Sequence, residues 1–192
     1  MKFVATISAL VAACAVAAST VAAAGAEAAP WGYNPKDATR AGPAQWGDHY
    51  PKCNGTSQSP IDIVSGDITQ SAKAKSSLRF RGTCASFNLT QDGEGNRASK
   101  CDSWTGSCQV KANKAQYDLL QFHVHAPSEH TLNGDPLDGE VHFVHSNADG
   151  SALLVVGVFM EIDPSGNTDP WLETLIDGID DVTATKPTML DL

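Results

Sequence analysis

The sequence predicts a mainly β protein, and three patterns support that class. Apolar and polar residues alternate along residues 121–125 and 140–145, as they do on a strand with one covered face. Residues 152–160 form a continuous apolar run whose β-branched side chains favour a strand covered on both faces. Only one stretch, after Asp169 and Pro170, has the spacing of an amphipathic helix, so helices contribute little to the predicted structure. We therefore expect strands to form most of the regular structure.

The N-terminus has the features of a secretory signal peptide. Lys2 supplies one positive charge, residues 4–24 are mostly apolar, and Ala26-Glu27-Ala28 fits the small-residue rule for cleavage. A membrane anchor is the alternative, but the apolar run is rich in alanine and lacks flanking basic residues. We expect residues 1–28 to be removed and residues 29–192 to form one domain. The mature protein would then be secreted to an extracellular or periplasm-like compartment, without a membrane segment.

Composition narrows the choice of partners. The formal net charge of −9 argues against nucleic-acid binding, which needs basic patches, and indicates solubility.

Secretion predicts that the cysteines beyond the signal are oxidised. These cysteines are Cys53, Cys84, Cys101 and Cys108. A disulfide between Cys101 and Cys108 could close the polar stretch at residues 92–107 locally. Sequons at Asn54 and Asn88 are glycosylation sites if the host is a eukaryote.

The mature chain begins with an irregular coat, because residues 30–60 are rich in Gly, Pro, Trp and Asn. Residues 92–107 are polar and Gly-rich, which predicts a surface hairpin or loop. Between and after these segments, alternating or β-branched apolar residues predict short strands. The predicted strands are residues 61–64, 78–81, 86–89 and 117–124, with another beginning at 108–110.

The single predicted helix begins at Asp169 and Pro170. Asp is a preferred N-cap residue, and Pro is favoured in the first helical turn. The apolar stripe of this helix comprises Trp171, Leu172, Leu175, Ile176 and Ile179. From residue 180 onwards the pattern predicts no further regular element.

Five of the six histidines lie between residues 121 and 145. Residues two apart on a strand share a face, so His123 and His125 point the same way, with Gln121 in phase behind them. Glu140 and His142 share a face of the second strand. The segment between the strands is long enough to turn the chain back, so the three imidazoles would converge as in a catalytic zinc site, which keeps a fourth position for water. Gln121 and Glu140 are placed to accept the second ring N–H of a ligand.

Three motifs together resemble the alpha-class carbonic anhydrases. They are QSPIDI at residues 58–63, QFHVH at 121–125 followed by SEHT at 128–131, and EVHFVH at 140–145. The Trp-Gly-Tyr run at residues 31–33 fits the family's N-terminal coat. The resemblance covers about residues 30–192. It implies a large, twisted, mostly antiparallel sheet with a few short surface helices.

The resemblance also implies a reaction, the reversible hydration of carbon dioxide to bicarbonate and a proton by hydroxide bound to Zn2+. The implied zinc ligands are His123, His125 and His142, with Gln121 and Glu140 as the partners of His123 and His142. The implied substrate is therefore a small molecule, carbon dioxide or bicarbonate.

Glu129 matches the family's buried catalytic glutamate, which accepts a proton from the threonine hydroxyl that orients the hydroxide. The threonine belongs to a Ser-Leu-Thr-Thr-Pro-Pro-Cys segment that the sequence lacks, so the resemblance implies a domain without its C-terminal part. Ala85 lies where relatives carry a proton-shuttle histidine. In relatives, the cysteine at the position of Cys53 usually forms a disulfide with the cysteine of the segment that is lacking here. The resemblance therefore implies that Cys53 stays free or forms a disulfide with Cys84. His130 and His145 are interpreted as structural.

Three alternatives remain open. A catalytically weak or inactive carbonic-anhydrase-like zinc-binding protein would explain the lacking threonine. A cupin is suggested by the spacing from His123 and His125 to Glu129, with iron or manganese as the metal. The cupin interpretation fits poorly, because its second motif is misspaced and leaves residues 58–61 unexplained. The third alternative is a fragment that does not fold stably.

Overall fold

The computed structural model describes residues 2–6, 12–14, 30–34, 36–68, 78–91, 99–112, 114–183 and 185–192. Its contacts group the chain into two compact units. One unit consists of residues 1–17 and 61–192, and the other consists of residues 18–60. The predicted signal peptide lies mostly outside the described residues.

The smaller unit is built around three aromatic rings. Trp31, Tyr33 and Trp46 meet edge to face, with ring centroids 5.3–5.9 Å apart, which is a favourable geometry for aromatic pairs. The Nε1–H of Trp46 donates to the carbonyl of Ala41 at 2.9 Å. The helical elements of the smaller unit are 3-10 turns at Pro43–Gln45 and Pro51–Asn54 and a short helix, α1, at Trp46–His49. The irregular character predicted for residues 30–60 is thus confirmed, with short turns in place of long elements.

The larger unit is a mainly antiparallel β structure, which confirms the predicted class. Among the described residues the strands are β1 (Lys2–Thr6), β2 (Ala12–Cys14), β3 (Asp62–Ile63), β4 (Arg79–Gln91), β5 (Ser99–Ala112), β6 (Ala115–His125), β7 (Thr131–Leu132), β8 (Asp135–Pro136), β9 (Gly139–Ser146), β10 (Leu153–Asp163) and β11 (Thr188–Leu190). The large sheet has the order β1-β10-β9-β6-β5-β4-β11, with β2 also on β10. A small sheet has the order β3-β7-β8.

One expectation about the middle of the chain is wrong. The strands predicted at residues 78–81 and 86–89 are one strand, β4, whose pairing with β5 shifts near Ser86, a residue with a φ of 55°. Of the surface hairpin or loop predicted at residues 92–107, the part from Ser99 onwards is strand β5, which pairs antiparallel with β4 as in a hairpin. Residues 92–98 lie outside the described residues.

The hydrophobic core lies on one face of the large sheet. Its side chains come from alternate positions of successive strands, such as Leu89, Cys101, Phe122 and Val141. Helix α2 (Pro170–Asp181) covers this face with Leu172, Leu175 and Trp171. The predicted start of the helix is confirmed, because the Asp169 side chain accepts hydrogen bonds from the first-turn N–H groups. Beyond it, the predicted absence of regular structure is wrong, since β11 pairs with β4.

One disulfide joins Cys84 and Cys108, so the proposed Cys101–Cys108 and Cys53–Cys84 links are wrong. Cys101 and Cys108 lie seven positions apart on the same extended strand, which separates them by about 23 Å. Cys84 and Cys108 instead face each other diagonally across the β4–β5 pair, with Cα atoms 5.7 Å apart. Cys53 is free and exposed, and Cys101 is free and buried. In the described part of the chain, no helix has the length and apolar character needed to span a membrane.

Candidate metal centre

The pairing of β6 with β9 brings three histidines together. His123 lies directly opposite His142 in the antiparallel register, and His125 follows two positions later on the same face. The ring centroids are 4.8 Å apart for His123 and His125, 5.4 Å for His123 and His142, and 4.7 Å for His125 and His142. One nitrogen from each ring lies within 4.8 Å of the other two. The alternation seen in the sequence therefore produces a converging triad on the sheet face opposite the core.

Gln121 fixes the orientation of the first histidine. Its Oε1 lies 2.7 Å from Nδ1 of His123, and both residues are on β6 two positions apart. An amide oxygen can only accept, so the pair requires the proton on Nδ1 of His123. The Nε2 lone pair of His123 is then left to face the other two rings.

Glu140 fixes the orientation of His142. Its side chain is among the most deeply buried, with 1% of the residue exposed. Its Oε1 lies 2.9 Å from Nε2 of His142 and 2.7 Å from Nδ1 of His130. Its Oε2 accepts hydrogen bonds from the backbone N–H groups of Glu129, at 3.1 Å, and His130, at 3.0 Å. Because Nε2 of His142 faces this carboxylate, Nδ1 is the nitrogen that His142 presents to the triad.

The charge on Glu140 is stabilised by these contacts. Burial raises the pKa of Glu140, but the hydrogen bonds from His142 and from the backbone of His130 outweigh it and lower the pKa to about 2. The carboxylate is therefore ionised at neutral pH. It holds two imidazole rings, those of His130 and His142.

His130 is the residue whose contribution the sequence pattern does not reveal. It was interpreted as structural, and the structure places its ring on Glu140, with an edge contact to Phe159 at 6.4 Å between centroids. It lies in the irregular segment before β7, where no alternation indicates which way a side chain points. Only its place directly after Glu129 in the SEHT run could have drawn attention to it.

The environment favours the neutral form of two of the three rings, those of His123 and His125. Burial, reinforced by repulsion from His125 and His142, lowers the pKa of His123 to about 4. Burial also lowers the pKa of His125, although Glu129 opposes that shift. Metal ligation requires neutral imidazole. Three imidazoles with converging nitrogens, two of them oriented by Gln121 and Glu140, fit the donor set of a catalytic zinc ion.

Glu129 places its carboxylate beside the same nitrogens. Its Oε2 lies 3.4 Å from Nε2 of His125 and 3.7 Å from Nδ1 of His142. Its side chain is 20% exposed, so the sequence expectation of a buried group is only partly met. A carboxylate in this position can accept a proton from a group bound within the triad.

Apolar side chains continue the face that carries the triad. Val144 follows His142 by two positions on β9, and Val155 of β10 lies directly opposite Val144. His145, in contrast, lies on the other face of β9, is buried, and has Nδ1 3.3 Å from the carbonyl of Leu154. The site thus combines polar ligands with an adjacent apolar wall.

Comparison with known proteins identifies close relatives of this arrangement. The family model for eukaryotic-type carbonic anhydrase matches residues 41–190. Alpha carbonic anhydrase 2 of Arabidopsis thaliana is 36% identical over 146 residues, which cover 74% of this chain and 57% of that protein. Carbonic anhydrase 7 of Homo sapiens is 32% identical over 167 residues, which cover 78% of this chain and 61% of that protein.

Solved structures agree with the sequence relatives. The alpha-carbonic anhydrase of Photobacterium profundum superimposes with a TM-score of 0.67 at 29% sequence identity, covering 83% of this chain and 66% of that one. The chain spans about half the length of the first curated relatives it matches.

Proposed function

The chain belongs to the eukaryotic-type carbonic anhydrase family, and we propose that it hydrates carbon dioxide reversibly at a zinc ion held by His123, His125 and His142. One observation carries the proposal: three ring nitrogens lie within 4.8 Å of one another. The outward nitrogens of two of these rings face Gln121 and Glu140. The ligand atoms of His123, His125 and His142 would be Nε2, Nε2 and Nδ1, respectively.

The metal supplies Lewis acidity, since zinc held by three protein ligands lowers the pKa of its water to about 7. The chain supplies orientation and a proton acceptor. Gln121 and Glu140 hold the imidazole rings in the tautomers that ligation needs. Oε2 of Glu129 faces the triad and can hold a proton there. Val144 and Val155 exclude water beside the triad and offer an apolar surface to carbon dioxide.

We also propose that the mature protein is a secreted glycoprotein, with residues 1–28 as its signal peptide, so that strands β1 and β2 belong to the precursor and are absent from the mature sheet. The Cys84–Cys108 disulfide supports an oxidising compartment. Of the two sequons, Asn54 is exposed at the end of a 3-10 turn, whereas Asn88 lies in β4 between β5 and β11. Asn54 is the site we assign, because its side chain is exposed and lies outside the strands.

Zinc content and carbon dioxide hydration of the purified chain test the main proposal. We expect one tightly bound zinc per chain and hydration that is abolished by chelation and restored by zinc. His142→Ala should lose both properties. His49→Ala is the matched control, because His49 is an exposed histidine of the coat, and it should retain both.

The other outcomes separate the alternatives. Stoichiometric zinc without hydration would replace the proposed enzyme by a catalytically weak or inactive zinc-binding relative. Bound iron or manganese without hydration would instead favour cupin-type chemistry. A His142→Ala variant with unchanged zinc content would contradict the proposed ligand set.

A further inference from the structure

Gly157 of β10 lies next to the most constrained part of the proposed metal centre. It is directly opposite His142 in the β9–β10 register, and both residues are on the face that carries the triad. Three other residues have their polar groups within this region, namely Glu140, His130 and Glu129. The space above Gly157 is bounded by Glu140 and His142, and Glu140 in turn contacts His130 and the backbone N–H of Glu129.

Glu140 fills that space. A Cβ placed on residue 157 would overlap Oε1 of Glu140 and would lie 3.6 Å from Cδ2 of His142. Oε1 is the atom that contacts Nε2 of His142 and Nδ1 of His130. A side chain at position 157 must therefore displace the one oxygen that two imidazole rings share.

The carboxylate has little freedom to adjust. Oε2 is held by the backbone N–H groups of Glu129 and His130, and Glu140 as a whole is 1% exposed. Rotating Oε1 away from residue 157 loosens those two hydrogen bonds or leaves an imidazole N–H without its acceptor. A buried polar group that loses its partner is strongly disfavoured. The backbone itself does not require glycine here, since the structure records no positive φ for Gly157.

We propose that Gly157 is a positioning residue of the metal centre: its missing side chain provides the space in which Oε1 of Glu140 orients His142. The inference deepens the proposed function, since it rests on His142 being a metal ligand through Nδ1. Gly157 touches neither the metal nor the substrate, and it acts only through Glu140.

Gly157→Ala tests the inference in two measurements that need no enzyme activity. In the metal-free wild type, nitrogen NMR of labelled histidine should show His142 as the tautomer protonated at Nε2, because Glu140 accepts that proton. In the variant, this signature should weaken or shift, together with the Nδ1–H signal of His130. Zinc affinity should fall by about 10- to 100-fold, the usual effect of losing a group that orients a ligand.

Gly66→Ala is the matched control, because no described residue other than its two chain neighbours has an atom within 4 Å of a Cβ placed there, and its φ is not positive. This variant should keep the wild-type NMR spectrum and zinc affinity. Unchanged histidine tautomers and zinc affinity in Gly157→Ala would overturn the inference. They would leave the proposed zinc site and carbon dioxide hydration intact, so the two ideas fail separately.

A double variant tests whether the effect passes through Glu140. Aspartate at position 140 is one methylene shorter and ends farther from residue 157. If residue 157 acts through Glu140, the effects of the two substitutions are not additive. In a Glu140→Asp background, Gly157→Ala should therefore change zinc affinity by less than about twofold. If Gly157→Ala alone fails to fold, the double variant should fold again. An additive loss, or a double variant that still fails to fold, would contradict the inference.

Discussion

Gln121 is a side chain outside the proposed ligand set that orients one member of that set. Its amide oxygen lies 2.7 Å from Nδ1 of His123, so it selects the tautomer with the Nε2 lone pair available. We predict that Gln121→Ala lowers zinc affinity by about 10- to 100-fold, measured by competition with a chromophoric chelator.

Gln116→Ala is the control for that variant, because Gln116 is an exposed glutamine on the same strand. Its zinc affinity should equal that of the wild type. Equal losses in both variants would indicate a general effect of truncation on β6, and would contradict a specific role for Gln121.

The buried histidines predict how stability depends on pH in the metal-free protein. Burial lowers the pKa of His123 from 6.5 to about 4 and also lowers the pKa values of His125 and His145. Below pH 6.5 the unfolded chain binds more protons than the folded chain, so stability falls between about pH 6.5 and pH 4. At about 1.4 kcal/mol per pKa unit, His123 alone accounts for about 3 kcal/mol.

Glu140 extends the acid loss below that window. Its pKa is about 2, so its contribution is present above 4.5 and disappears as the pH falls towards 2. Urea midpoints of the metal-free protein, measured from pH 7.5 to pH 4, should decrease steadily. A midpoint that stays constant or rises on acidification would show that the histidines are not buried as neutral groups.

The sequence predicts the candidate ligands because β alternation has period two. Spacing alone places Gln121, His123 and His125 on one face of a strand, whereas His142 joins them only when the two strands pair. His130 and Glu129 could not be placed in this way. They precede β7 in an irregular segment, where the direction of a side chain depends on contacts with Glu140 that are distant in sequence.

At the scale of elements, the β4–β5 pair is fixed by its disulfide. Cys84 and Cys108 are 24 positions apart in sequence. Closing a loop of that size in the unfolded chain predicts a stabilisation of about 3 kcal/mol. Replacing both residues by alanine should lower the free energy of unfolding in urea by about this amount. Cys53→Ala, which removes a free exposed thiol, should leave it unchanged.

The same strand pair shows where sequence patterns fail. Residues 92–107 contain Gly, Asp, Ser and Asn, which locally favour a loop, yet residues from Ser99 onwards are strand. Pairing with β4 on one side and β6 on the other satisfies the backbone hydrogen bonds of β5. Such pairing is a property of the folded sheet, so local composition does not reveal it.

An unaltered urea midpoint in the Cys84→Ala/Cys108→Ala variant would show that the pairing of β4 with β5 needs no covalent support.

Helix α2 is defined more locally, and its start was predictable. The Asp169 carboxylate accepts from the N–H of Trp171 at 2.9 Å and of Leu172 at 3.4 Å. Asp169→Ala should lower the free energy of unfolding by about 1 kcal/mol, since it removes an N-cap. Asp177→Ala, an exposed position on the same helix, should change it by less than about 0.5 kcal/mol. Equal effects would contradict a capping role.

At the scale of the whole sheet, one pattern produces both stability and the candidate site. Alternate residues of β6 and β9 supply the core on one face, where Phe122 and Val141 pack beneath α2. The intervening residues supply His123 and His142 on the other face. A shift of one residue in the β6–β9 register would turn the histidines of the shifted strand to the core face and its apolar residues away from the core, so folding and site assembly are linked.

The central claim is that His123, His125 and His142 together hold one zinc ion. X-ray absorption at the zinc edge of the loaded protein tests it most directly. We predict three imidazole nitrogens at about 2.0–2.1 Å and no sulfur ligand. His142→Ala should lose one imidazole from the shell, whereas Cys53→Ala should leave the spectrum unchanged. A zinc–sulfur distance near 2.3 Å, or an unaltered shell in His142→Ala, would contradict the assignment.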